Sequence, residues 1–132
     1  MGRAENNSLE QTFILIKPDG VQKRLSGLII SIFERKEFNL KKLKMTRVDR
    51  EFAKRHYAEH KGKKYFEDII KHISSGDVVA MVLEGRNSIG KVRKLIDEIR
   101  LDFGTNSIKN VIHGSDSIKS ARREIDLWFV DQ

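Results

Sequence analysis

His113 stands apart from the other three histidines of this chain. It follows the apolar pair Val111-Ile112 and precedes Gly114-Ser115-Asp116-Ser117, so a strand-like segment ends at the histidine and a helix opens just beyond it. An imidazole at such a bend can serve as a nucleophile or a general base, or it can simply cap the turn. Gly114 beside it permits another group to approach the ring closely. His56, His60 and His72 lie in helical or polar, Lys-rich context and read as surface histidines.

Cations suited to phosphate are spread along the chain. Lys17 closes an apolar run just before Pro18-Asp19-Gly20, where a lysine can hold a phosphate as a point charge or sit in solvent. Arg93 lies between members of an apolar helical stripe, and Arg100 falls two residues before Asp102. Arginine suits phosphate oxygens, although surface ion pairing is its commoner fate. Tyr57 and Tyr65 can stack on a base or fill the edge of the core. No Walker-type phosphate loop, no GxGxxG and no HxxE metal pair occurs, so phosphate would be held by other means and no protein metal site is expected.

The elements that must position these groups follow from periodicity. Thr12–Lys17 reads as a buried strand ending in a Pro-Asp-Gly turn. Leu25, Leu28, Ile29, Ile32 and Phe33 mark an amphipathic helix. Phe38–Val48 reads as a half-exposed strand with Leu43 and Met45 on one face and Lys42 and Lys44 on the other. Asp49 is placed to cap a short helix through Tyr57, and Tyr65, Ile69, Ile70 and Ile73 mark the next one. Val78–Glu84 is a central strand, followed by a helix carrying Ile89, Val92 and Ile96. Residues 97–116 read as mostly irregular, Ser115 or Ser117 opens the last helix, and Leu127–Phe129 reads as a short final strand. With the small helices set aside, the order is βαββαβ. The expectation is an α+β, ferredoxin-like fold: a four-stranded antiparallel sheet with helices packed on one face.

Composition bounds the rest. At 132 residues the chain fits one domain. We expect a flexible segment over 1–11 and a single domain over 12–132. There is no cysteine, which excludes disulfides, thiolate zinc and cysteine catalysis. The longest apolar run, Val78–Leu83, is far short of a membrane span, and the polar start of the chain lacks a signal-peptide core, so a cytoplasmic setting is expected. The net charge is +7, and the window from Lys41 to Lys71 holds eleven Lys/Arg against five Asp/Glu. Such a window suits nucleic acid, an anionic membrane or phosphorylated ligands, or is a solvated face.

Taken together, the segments are more specific than any one of them. Thr12–Val21, His56-Tyr57, Ser75-Gly76 with Val78–Val82, Glu84-Gly85, Val92–Leu95, Asn110–Ser117 and Glu124-Ile125 with Leu127–Phe129 occur in this order. In that set the chain resembles the nucleoside diphosphate kinases from Thr12 to Phe129. The resemblance implies a ping-pong phosphotransferase in which a nucleoside triphosphate gives its γ-phosphate to His113 and a second nucleoside diphosphate collects it. By the same resemblance Glu124 orients His113. Lys17, Tyr57, Arg93, Arg100 and Asn110 surround the phosphates, ribose and histidine, and Gly114 belongs to the nucleotide site. Tyr65 lies against the base, and Mg2+ arrives on the nucleotide phosphates.

The chain departs from the family pattern between Arg93 and Arg100, where the usual Gly- and Pro-rich loop is missing and its phosphate-contacting Thr has no match. Because that loop shapes family hexamers, a homo-oligomer is expected with a dimer favoured. The lost loop and the basic window also motivate an alternative, a degenerate member acting as a nucleotide or nucleic-acid binding module.

Overall fold

The computed structural model describes residues 9–130. Residues 1–8, most of the segment expected to be flexible, lie outside the described residues. The first strand, β1, spans Leu9–Ile16 and so begins three residues before the boundary expected at Thr12. It is followed by α1 (Pro18–Gln22), α2 (Ser26–Arg35), β2 (Asn39–Thr46), α3 (Arg50–His56) and α4 (Phe66–Ile73). β3 (Val78–Arg86), α5 (Ser88–Phe103), β4 (Ile112–Gly114) and α6 (Ile118–Trp128) complete the chain. A single 3-10 turn, Ala58–His60, joins α3 to the segment before α4.

All neighbouring strands are antiparallel, in the order β2-β3-β1-β4. With α2 and α5 as the two crossovers, this is the ferredoxin-like βαββαβ arrangement. β1 is central because every residue from Phe13 to Ile16 is buried, and it pairs with β3 along its whole length.

Helices cover both faces of the sheet, not one. Ile14, Ile16, Met81 and Leu83 pack with Ile29 and Phe33 of α2 and Val92 and Ile96 of α5. On the opposite face Phe13, Leu15, Ala80 and Val82 pack with Ile70 and Ile73 of α4 and Trp128 of α6. The unbroken apolar run of β3 reflects this: a strand buried on both faces has no polar face to alternate with.

Three further expectations are corrected. The stretch holding Arg100 is helical, because Ile96, Ile99 and Phe103 continue the apolar period of α5 to its end. The segment Leu127–Phe129 is not the fourth strand. Leu127 and Trp128 close α6, whose stripe of Ala121, Glu124 and Trp128 turns inward, and Phe129 caps it. The fourth strand is instead the short β4 centred on His113. The Pro-Asp-Gly turn is the first turn of α1, with Pro18 where its missing N–H costs nothing. The caps expected at Asp49 and Ser117 are both present, their side chains accepting from the N–H of Phe52 and Ser120.

β2 forms one edge of the sheet. Lys42 and Lys44 turn toward the protein, over the Phe129 ring, and Lys44 is bonded to the Trp128 carbonyl, while Leu43 and Met45 stay 47% and 59% exposed.

Candidate active site

The site is built where the ends of β1, α5, β4 and α6 converge. β4 pairs with β1 so that His113 lies opposite Leu15 and Ile112 opposite Ile16. The next residue after Ile16, Lys17, therefore emerges beside the entry to β4. Its backbone N–H donates to the Val111 carbonyl at 2.8 Å, and its ammonium donates to the Ile108 carbonyl at 2.6 Å and Asn110 Oδ1 at 2.8 Å. Lys17 is almost fully buried. Burial draws its pKa down to about 8, Asp19 pulls it back up, and Arg100 opposes the charge again.

α5 supplies two arginines seven residues apart, hence on one helical face. Arg93 Nη1 donates to the Gly114 carbonyl at 3.3 Å and Arg100 Nε to the Ile112 carbonyl at 3.0 Å. Both bonds tether the arginines to the two backbone flanks of His113. Burial and the neighbouring Arg93 lower the pKa of Arg100, but a guanidinium keeps its charge in a protein. The helix lies close to β4 because residue 114 is glycine: a Cβ there would stand 2.2 Å from Ile96 Cδ1. The close approach that Gly114 permits is thus made by the Ile96 side chain.

His113 Nε2 donates to Glu124 Oε2 at 3.1 Å, which leaves the lone pair on Nδ1. Glu124 is buried on α6, and its other oxygen accepts the Ser115 hydroxyl at 2.6 Å. Ser115 is in turn fixed by β1, its N–H donating to the Phe13 carbonyl. The imidazole is therefore oriented by a carboxylate that is itself oriented. With a side chain 21% exposed, His113 opens into a cavity of about 390 Å³. Lys17, Tyr57, Tyr65, Arg93, Arg100, Asn110 and Gly114 also line it, so every expected binding residue meets His113 there. Tyr57 is buried and its phenol is pushed up by burial and by Glu124, so it remains an O–H. Tyr65 is 40% exposed at the mouth, its hydroxyl 2.7 Å from His60 Nδ1.

Two histidines expected at the surface are withdrawn from it, His56 buried and His72 half-buried. His56 accepts the Trp128 indole N–H on Nδ1 at 3.0 Å and packs edge-on to His113, ring centroids 4.8 Å apart. Burial and the nearby His113 hold its pKa well below the usual imidazole range. His72 contacts Asp19 Oδ1 through Nε2 at 2.9 Å. Burial alone would raise the Asp19 carboxyl, but His72, Lys17 and the Val111 N–H outweigh it and hold the group below its ordinary value. Sequence reasoning gave Asp19, His72, His56 and Ser115 no catalytic or binding role. Their partners lie many residues away, and no local spacing announces them.

An imidazole with an open nitrogen, facing three cations in one cavity, defines a phosphate-handling enzyme on a ferredoxin-like sheet. The chain belongs to the nucleoside diphosphate kinase family, whose family model, described as nucleoside diphosphate kinase, matches residues 10–132. Nucleoside diphosphate kinase 1 of Spinacia oleracea is 51% identical over 133 aligned positions, covering 93% of this chain and 90% of that protein. The nucleoside diphosphate kinase of Thermosynechococcus vestitus is 50% identical, covering 94% and 89%. Among solved structures, the Aquifex aeolicus nucleoside diphosphate kinase superposes with a TM-score of 0.89 at 39% identity, covering 92% of this chain and 96% of that one. The enzyme from Encephalitozoon cuniculi, without ligand, gives 0.87 at 38%. The alignment to the spinach protein is longer than the share of this chain it contains, so about ten aligned positions have no residue here.

Proposed function

We propose that this nucleoside diphosphate kinase works by a ping-pong route through phosphohistidine at His113. The observation that carries it is the Nε2–Glu124 hydrogen bond, which leaves Nδ1 as the nucleophilic nitrogen at the cavity. Nδ1 attacks the γ-phosphorus, an N–P bond forms, and the bond to the β-phosphate oxygen breaks, releasing the diphosphate. Glu124 stabilises the positive charge that develops on the ring. A second diphosphate reverses the step with its own terminal oxygen, so one transfer is split into two. Lys17, Arg93 and Arg100 offset charge on the phosphate oxygens, and their tethers to the backbone spare much of the reorganisation. Tyr57 and Asn110 border the transferring group, and Tyr65 offers a stacking face that tolerates any base.

Among the described residues, Asp116 is the one carboxylate lining the cavity, against Lys17, Arg93 and Arg100, so the lining suits phosphates. Mg2+ fits here as a passenger on the nucleotide phosphates, where it neutralises charge on the transferring group. The exposed Leu43 and Met45 on the unpaired edge of β2 support a homodimer. No helix among the described residues is long and apolar enough to cross a membrane, which accords with a cytoplasmic enzyme acting on nucleotides.

Incubation with γ-labelled ATP should label the protein in an alkali-stable, acid-labile form, and His113→Ala should abolish the label. Persistent labelling of that variant would overturn the assignment.

A further inference from the structure

The chain entering His113 makes an unusual bend. Val111, a buried β-branched residue, has φ of +66°, and the Ile112 N–H donates back to the Asn110 carbonyl at 2.9 Å. A three-residue turn closed by that bond with positive φ is the strained kind of γ-turn, and a branched side chain makes it costlier. Such a conformation persists only where its surroundings impose it.

The surroundings that impose it are the residues after β1. Lys17 N–H donates to the Val111 carbonyl at 2.8 Å, and Asp19 Oδ2 accepts the Val111 N–H at 3.0 Å. Gly20 makes room for the contact, since a Cβ there would stand 2.8 Å from the Val111 carbonyl oxygen. Asp19 is itself buried, and its second oxygen is held by His72 from α4. Both polar groups of the strained residue are thus gripped by a segment more than ninety residues earlier in the chain. On either side of that turn lie Asn110, which holds Lys17, and His113.

We infer that Asp19 is a positioning residue for phosphoryl transfer: its carboxylate clamps the γ-turn at Val111 and so fixes the placement of His113 Nδ1 relative to the phosphate. The inference rests on the phosphohistidine reading above. Asp19 does not line the cavity with His113; it reaches the site through the Val111 backbone, and its charge also helps keep Lys17 protonated. Loss of the clamp lets the turn relax toward negative φ, which shifts the nucleophile without removing any group that binds nucleotide. A displacement of this kind costs rate and leaves affinity largely intact.

The test is single-turnover phosphorylation of the full chain by γ-labelled ATP, alongside nucleotide affinity and thermal unfolding. Asp19→Ala should slow His113 phosphorylation by about 10²-fold while the ADP dissociation constant changes by less than about threefold. Asp19→Asn retains an oxygen for the Val111 N–H and, with all variants assayed at about pH 6 so that Lys17 stays charged without Asp19, should stay within about threefold of the parent rate. It keeps the test open should the alanine variant fail to fold. Unchanged phosphorylation in Asp19→Ala overturns the inference, as does a parallel loss of rate and affinity, or a loss of tenfold or more in folded Asp19→Asn. A parent protein labelled somewhere other than His113 would sink the phosphohistidine reading itself.

Discussion

Lys17 is poorly hydrated and holds its proton less firmly than a solvent-exposed lysine. Its pKa of about 8 means that the ammonium is charged below that pH and is lost above it. The unfolded chain would hold the proton to near 10.5, so the fold itself depresses the value. In the free enzyme this places a descending limb near pH 8 on kcat/KM, as the point charge that meets the phosphate disappears. Lys17→Gln should lower kcat/KM at pH 7 and erase that limb. A limb that survives in the variant assigns it to another group. The types and turns around Lys17 and His113 were legible in the sequence, because both sit where an apolar run stops. The partners of Asp19 were not, since His72 and Val111 lie 53 and 92 residues away.

At the scale of elements, the cavity depends on how α5 lies on β4. Gly114 lets Ile96 seat its Cδ1 against the strand, and Arg93 and Arg100 on the same helix take their height from that contact. Gly114→Ala should push the helix outward, costing about 1–3 kcal/mol of stability as overpacking does and weakening nucleotide binding with it. Adding Ile96→Val removes the clashing methyl and should restore most of both losses. Chemical denaturation and nucleotide titration of the single and double variants check this, and strictly additive losses would refute it. The second half of α5, which holds Arg100, escaped sequence reading because the stretch from Asp97 to Asp102 is mostly charged. Its apolar period survives only in Ile96, Ile99 and Phe103. The end of α6 was misread for the opposite reason: Leu, Trp and Phe favour strands locally, yet tertiary packing of Trp128 under β1 decided for helix.

The whole molecule is a sheet covered on both sides but open at one edge. β4 protects one end only briefly, and β2 presents the other with an apolar pair directed outward. A self-complementary contact through that edge would pair two copies by a two-fold axis. Leu43→Glu combined with Met45→Lys should shift a dimer to monomer by light scattering while the isolated chain keeps its helical and sheet signal. A stable hexamer in the parent protein would refute the dimer. The βαββαβ plan and its first three strands were legible because turn residues bound them, whereas the fourth was read at Leu127–Phe129 and lies at Ile112–Gly114. The coverage of the second face was concealed, since a doubly buried strand and a buried helix turn read alike in sequence.

One consequence of the strand order concerns time. β1 is the first element of the sheet to be made, yet its second neighbour, β4, lies a hundred residues further on, and Glu124 follows that. Closing so distant a pairing carries a large loop entropy, which slows folding relative to local contacts. A ribosome-bound chain that stops before β4 has every expected phosphate-binding cation, but neither His113 nor the Glu124 carboxylate that orients it. Synthesis therefore delays competence until the chain is nearly whole, and an incomplete product remains inert toward the nucleotide pool.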